Sequence, residues 1–148
     1  MATPPYRNER TKTILVVEDD PTIRNILRIV VERMGHVVLE ACDGRDGLSV
    51  SRTFGERIDL VISDVGMPKM DGPEMVGCLQ AERPGIKVLL ISAYATDSIR
   101  PDLTQDFLAK PFLPAAVQKK VQEMFARDPA DSEQEKLAPA ETREHGGG

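Results

Sequence analysis

The chain has 148 residues, 41% hydrophobic and 29% charged, a balance that fits one globular domain of about 100–150 residues with some tail left over and excludes a wholly disordered chain. No apolar run approaches the roughly 20 residues that cross a bilayer, and "MATPPYRNERTK" has no apolar segment behind its basic groups; neither membrane insertion nor a secretory signal is expected, and the expected location is cytoplasmic. Of the formal net charge of −5, −4 falls in Asp128–Gly148, and the nearly neutral remainder lacks the concentrated basic patch of a nucleic-acid surface.

In chain order, "TILVV" is a short apolar strand that runs into three acids, Glu18, Asp19 and Asp20. The period then changes. Ile23, Ile26, Leu27, Val30, Val31 and Met34 recur at helical spacing, with Asp20 suited to the N-cap, Pro21 to the first helical position and Gly35 to the left-handed residue past the end. "HVVLEA" predicts a second strand, and "DGRDGLSVSRTFG" a weaker helix that ends at Gly55. "IDLVIS" and "KVLLIS" are apolar almost throughout, as strands covered on both faces are, and between them "GPEMVGCLQAERPG" reads as a helix closed by Pro84 and Gly85. "AYATDSIRPDLTQ" has poor helical periodicity and contains Pro101, which predicts a short or broken helix. "DFLAK" is a fifth strand, and "LPAAVQKKVQEMFA" a last helix with Val117, Val121 and Met124 facing inward. This alternation predicts an α/β fold with a parallel sheet and right-handed crossovers, bounded by a flexible leader (1–11) and a disordered acidic tail (128–148) around a domain over 12–127. Cys42 and Cys78 lack metal-ligand spacing and are expected as small buried or half-buried thiols; neither His36 nor His145 is expected to hold a metal.

In an open parallel sheet, ligands bind beyond the carboxyl ends of the strands. Glu18 and Asp19 close the first strand, Asp64 the third, Ser92 the fourth and Lys110 the fifth, so the fold gathers them at one edge. Crowded carboxylates repel unless a cation sits among them. Magnesium suits the purpose, since it takes oxygen ligands and needs only one or two carboxylates besides water and a phosphate oxygen. Asp19 and Asp64 supply the carboxylates, Lys110 a point charge for a phosphate oxygen and Ser92 a hydrogen-bond donor to another.

These residues resemble a known family, the receiver domains of two-component response regulators, typified by the chemotaxis regulator. The resemblance covers about residues 12–127 and rests on "VVEDD", "SDVGMPKMDG", "LLISAYA" and "FLAKPF", in this order and at the ends of the corresponding strands. It implies a doubly wound, five-stranded, flavodoxin-like sandwich with sheet order 2-1-3-4-5 and a cis bond between Lys110 and Pro111. It implies that Asp64 is phosphorylated, with Mg2+ held by Asp19 and Asp64, by the Gly66 backbone carbonyl and, through water, by Glu18. Ser92 would be the switch hydroxyl, Lys110 the phosphate-contacting lysine and Phe107 an aromatic that changes rotamer on activation. The partner would be a sensor histidine kinase or a phosphotransfer protein. The chain would be a regulatory phosphoacceptor rather than an enzyme, with at most self-phosphorylation and self-dephosphorylation.

Two features depart from the commonest pattern. The stretch from Ser92 to Lys110 is shorter than in many receivers and contains Pro101, so the family's interface over the fourth helix, fifth strand and fifth helix is not expected to carry over unchanged; and Gly66 and Tyr94 stand where the family's residues influence hydrolysis, Tyr94 expected to shield the site in part and Gly66 to leave its other side open. A competing class is a Mg2+-dependent phosphatase with an Asp nucleophile, but such enzymes carry a second Asp two residues on as general acid, and here that residue is Gly66. A nucleotide-binding module would need a G-x-G-x-x-G turn after the first strand, and none is present. With no output domain after Phe125, the expected context is a stand-alone regulator or the receiver of a hybrid kinase.

Overall fold

The computed structural model describes residues 11–67, 70–93 and 106–127. Five strands, β1 (Thr13–Val17), β2 (Val37–Ala41), β3 (Leu60–Asp64), β4 (Lys87–Ser92) and β5 (Asp106–Ala109), form one parallel sheet in the order β2-β1-β3-β4-β5. The helices described are α1 (Pro21–Arg33), α2 (Gly44–Thr53), α3 (Gly72–Glu82) and α4 (Pro114–Ala126). The helix expected between β4 and β5, Tyr94, the leader before residue 11 and the tail from residue 128 lie outside the described residues.

The two-residue period of a strand sorts the apolar runs into two cores. Leu15, Val17, Val61, Val88 and Leu90 meet Leu48 of α2 and Met75, Val76 and Leu79 of α3. On the opposite face Ile14, Val16, Leu60, Ile62, Leu89 and Ile91 meet Leu27 and Val31 of α1 and Val117, Val121, Met124 and Phe125 of α4. Every residue of β1 and β3 is buried, which is why these strands read as continuous apolar runs. A one-residue slip would exchange the two cores, so register is strongly specified. The expected stripe on α1 holds at its centre, Leu27 and Val31, whereas Ile26 is only half-buried at its margin.

The helix ends follow local chemistry. Asp20 accepts the Thr22 and Ile23 amides at 2.8 and 3.4 Å, and Gly35 has φ +94°. Asp43 accepts the Asp46 amide at 2.8 Å while the Asp46 carboxylate accepts the Cys42 amide at 3.0 Å, a reciprocal cap that opens α2. Cys42 is exposed rather than buried as the sequence suggests, because it sits in this turn, past the end of β2; Cys78 is half-buried. Arg83, just past α3, donates to the carbonyls of Ser51, Phe54 and Glu56 and to the Ser51 hydroxyl, at 2.8–2.9 Å. It thereby satisfies carbonyls at and beyond the C-terminal end of α2 that no intrahelical donor reaches.

Candidate functional site

The site is assembled by strand ends. Glu18 extends the β1 ladder by one bond, donating its amide to the Ala41 carbonyl at 3.1 Å, and its side chain is 1% exposed. Asp64 closes β3 opposite Ile91, and it too is buried. Buried Ser92 closes β4, and its carbonyl accepts the Lys110 amide at 2.8 Å, which draws the residue after β5 to the same edge. The Lys110–Pro111 peptide is cis.

Side chains separated by up to some ninety positions therefore meet. Lys110 Nζ lies 3.2 Å from Glu18 Oε1 and 3.4 Å from Asp64 Oδ1. One carboxylate oxygen each from Glu18, Asp19 and Asp64 lies within 4.8 Å of the others. Asp19 is exposed and Glu18 and Asp64 are buried, so the cluster opens to solvent on one side. Glu18 Oε2 accepts the Asp20 amide at 3.1 Å. Glu18 Oε1 is buried and, among the described residues, has no well-directed hydrogen-bond donor; the nearby ammonium acts on it as a charge.

Among the described residues, three carboxylates face one ammonium, which leaves the cluster short of positive charge. Burial pushes the Glu18 carboxyl up to about 7, assisted by the charge of Asp64 and resisted by the Asp20 amide and by Lys110. Burial also raises the Asp64 carboxyl, against the pull of Lys110. Burial of Lys110 favours its neutral form, but the charges of Glu18 and Asp64 prevail and hold it above the ordinary lysine value. An all-oxygen donor set with one underpaired buried oxygen fits a hard divalent cation.

The remaining residues fall around this centre. Gly66 is exposed, and a Cβ there would meet nothing within 4 Å among the described residues, so neither sterics nor a positive φ requires glycine. Phe107 of β5 pairs with Leu90 of β4 and is half-buried against the core that includes Leu90 and Val88. Two contributors are not apparent from the sequence. Gly72 opens α3 where a Cβ would collide with the Asp64 carbonyl oxygen; its amide donates to the Val65 carbonyl at 2.8 Å. In the sequence it reads only as a residue of the Asp71 turn. Arg24 donates to the Glu18 carbonyl at 2.7 Å, a contact with no signature in residue spacing.

The family model for the response regulator receiver domain matches residues 14–122. The sensor kinase CckA of Brucella abortus is 35% identical over 119 residues, which cover 78% of this chain and 13% of that kinase. The chain spans about half the length, or less, of several curated relatives that it matches. Among solved structures, the chemotaxis protein CheY4 of Vibrio cholerae superposes with a TM-score of 0.70 at 27% identity, covering 76% of this chain and 98% of that one. The response regulator TrrA of Thermotoga maritima, solved in complex with Mg2+-BeF, gives 0.66 at 30% identity, covering 76% and 98%. With the strand order, the acidic cluster and the match along most of its length in agreement, the chain belongs to the response regulator receiver domains of two-component systems.

Proposed function

We propose that Asp64 is the phosphoacceptor, that it takes a phosphoryl group from a phosphohistidine on a sensor histidine kinase or phosphotransfer protein, and that the reaction requires Mg2+ held by Asp19, Asp64 and the Gly66 carbonyl, with Glu18 acting through water. The observation that carries this reading is the lysine ammonium at 3.4 Å from Asp64 and 3.2 Å from Glu18, inside a three-carboxylate cluster at the carboxyl edge of the sheet.

The chemistry follows from the residues. An oxygen of ionised Asp64 attacks phosphorus, the P–N bond to the imidazole breaks as the P–O bond forms, and the leaving nitrogen keeps the bonding pair, to be protonated. Rigid β3 holds the nucleophile in place, so little orientation is left to arrange at the moment of transfer. Lys110 follows the charge from the carboxylate onto a phosphoryl oxygen, and the Ser92 hydroxyl donates to another. When bound, the divalent ion supplies charge neutralisation at the phosphoryl oxygens. Ser92 and Phe107 then bias a two-state surface, the hydroxyl drawn to the phosphoryl group and the half-buried ring turning inward. The unit that performs this is residues 12–127, acting as a regulatory phosphoacceptor in the cytoplasm.

Incubation with a small phosphodonor and Mg2+, followed by intact mass, tests the reading. One phosphoryl increment is expected, absent without the metal and absent in Asp64→Asn. An increment that persists in Asp64→Asn would move the acceptor elsewhere.

A further inference from the structure

The first turn of α1 holds a residue that elementary electrostatics disfavours there. Arg24 is the fourth residue of the helix, where a cation opposes the positive end of the helix dipole. It also stands beside a cluster proposed to bind a cation, where its charge competes with the metal. Both costs call for a compensating contact. One guanidinium nitrogen donates to the Glu18 carbonyl at 2.7 Å. Another, Nε, lies 3.5 Å from Glu40 Oε1 on β2, so the sheet braces the guanidinium from behind. The side chain is 23% exposed, pinned between strand and helix.

The carbonyl it holds belongs to the peptide that joins Glu18 to Asp19. That unit is planar, so with the Glu18 Cα held at the end of the strand, fixing the oxygen fixes the position of the Asp19 Cα. On the other side of the same residue, the Glu18 amide is tied to Ala41. Asp19 itself is exposed, so the placement of its Cα sets where its side chain starts.

We infer that Arg24 is a positioning residue for the cation: through the Glu18 carbonyl it orients Asp19 toward the metal, and so its removal weakens Mg2+ binding although it removes a positive charge. This inference rests on the proposed metal role of Asp19 and Asp64.

The sign of the effect is the test. Calorimetric titration of the full chain with Mg2+ above pH 7 compares the parent with Arg24→Ala and Arg24→Gln, each checked for native circular dichroism. If Arg24 acts only as a charge, either variant binds Mg2+ more tightly. If it positions Asp19, Arg24→Ala binds about tenfold more weakly. Arg24→Gln, which loses the charge and the reach but keeps part of the aliphatic stem between strand and helix, weakens binding in the same direction and decides the matter should the alanine variant fail to fold. Equal or tighter binding in the folded variants overturns the inference while the metal reading stands; a parent that takes up no Mg2+ overturns the metal reading itself.

Discussion

Two charged clusters sit at opposite edges of the same sheet, with opposite stoichiometry. At the carboxyl edge, among the described residues, Glu18, Asp19 and Asp64 share one ammonium, that of Lys110. At the amino edge, the carboxylate of Asp106, at the start of β5, faces two cations, Lys120 of α4 at 3.3 Å and Arg127, which caps that helix, at 2.7 Å. Burial alone would raise the Asp106 carboxyl, yet Arg127 and Lys120 overcome it and hold it below the ordinary carboxylate value. Glu18 is pushed the other way, to about 7. One cluster is complete as folded and fastens α4 to β5. The other is left wanting positive charge, which in a stable fold is tolerated where a ligand is to supply it.

The largest effect that separates the clusters is on phosphoryl uptake. Lys110→Ala removes the charge proposed to follow the transferring group and is expected to slow uptake from a small phosphodonor by about 10²–10³-fold. Lys120→Ala removes a lysine of the same type from the other edge and is expected to leave the rate unchanged. Time courses by intact mass compare the two; similar slowing in both would mean that the two edges do not differ in the way described.

Next in size is a steric effect at the carboxyl edge. Gly72→Ala places a methyl group against the Asp64 carbonyl, which is backbone and cannot turn aside; the expected cost is about 1–3 kcal/mol in urea unfolding. Gly77, in the same helix, has nothing within 4 Å of the equivalent Cβ, so Gly77→Ala is expected to gain about 0.5–1 kcal/mol from helix propensity. Opposite signs in one helix separate close approach from propensity.

These contrasts also show where the sequence is legible. The strands and their two cores follow from the apolar runs, and α1 from its period together with Asp20, Pro21 and Gly35, because each signal is local and repeated. The meeting of Glu18, Asp64 and Lys110 follows from placing them at strand ends, since a parallel sheet has one carboxyl edge. What could not be read depends on which distant backbone atom a group touches. Arg24 could have extended to solvent as Arg28 partly does; Gly72 looks like any turn glycine; and Arg83 finds the carbonyls around the end of α2 only because α3 packs beside it. Cys42 is expected buried or half-buried because a lone thiol packs as a small hydrophobe, but it falls in the turn just past the end of β2 and is exposed.

Acidity gives the two clusters opposite slopes. Glu18 rises from 4.5 unfolded to about 7 folded, so between these values the folded chain holds the extra proton. Its contribution is fully present below pH 4.5 and is lost as pH rises through 7; the raised Asp64 acts in the same direction. Without metal, stability should therefore fall across this interval. Millimolar Mg2+ should restore it at pH 8 and do little at pH 5, where the proton must first be displaced. Urea unfolding at a series of pH values, with and without the metal, checks both; an identical Mg2+ increment at both ends would contradict the assignment.

The smallest effect is the most direct comparison. Asp106 has a lowered folded value, so its contribution is present above the unfolded value of 3.8 and is lost as pH falls through the folded one. Its ion pairs face solvent on the cationic side, with the Arg127 side chain 57% exposed, so screening limits them and Asp106→Asn should cost no more than about 1 kcal/mol at pH 7. The matched change at the other edge, Asp64→Asn, removes a buried carboxylate from an overcrowded cluster and should stabilise the metal-free chain at the same pH, because a neutral amide relieves Glu18 of a repelling neighbour. One chemical substitution thus tests both edges: a loss at Asp106 and a gain at Asp64, measured metal-free under one set of conditions, mean that the carboxyl edge carries its charge for a ligand and at the expense of the fold. A loss at both positions would mean that Lys110 alone balances Asp64, and the case for a cation would then rest on direct binding.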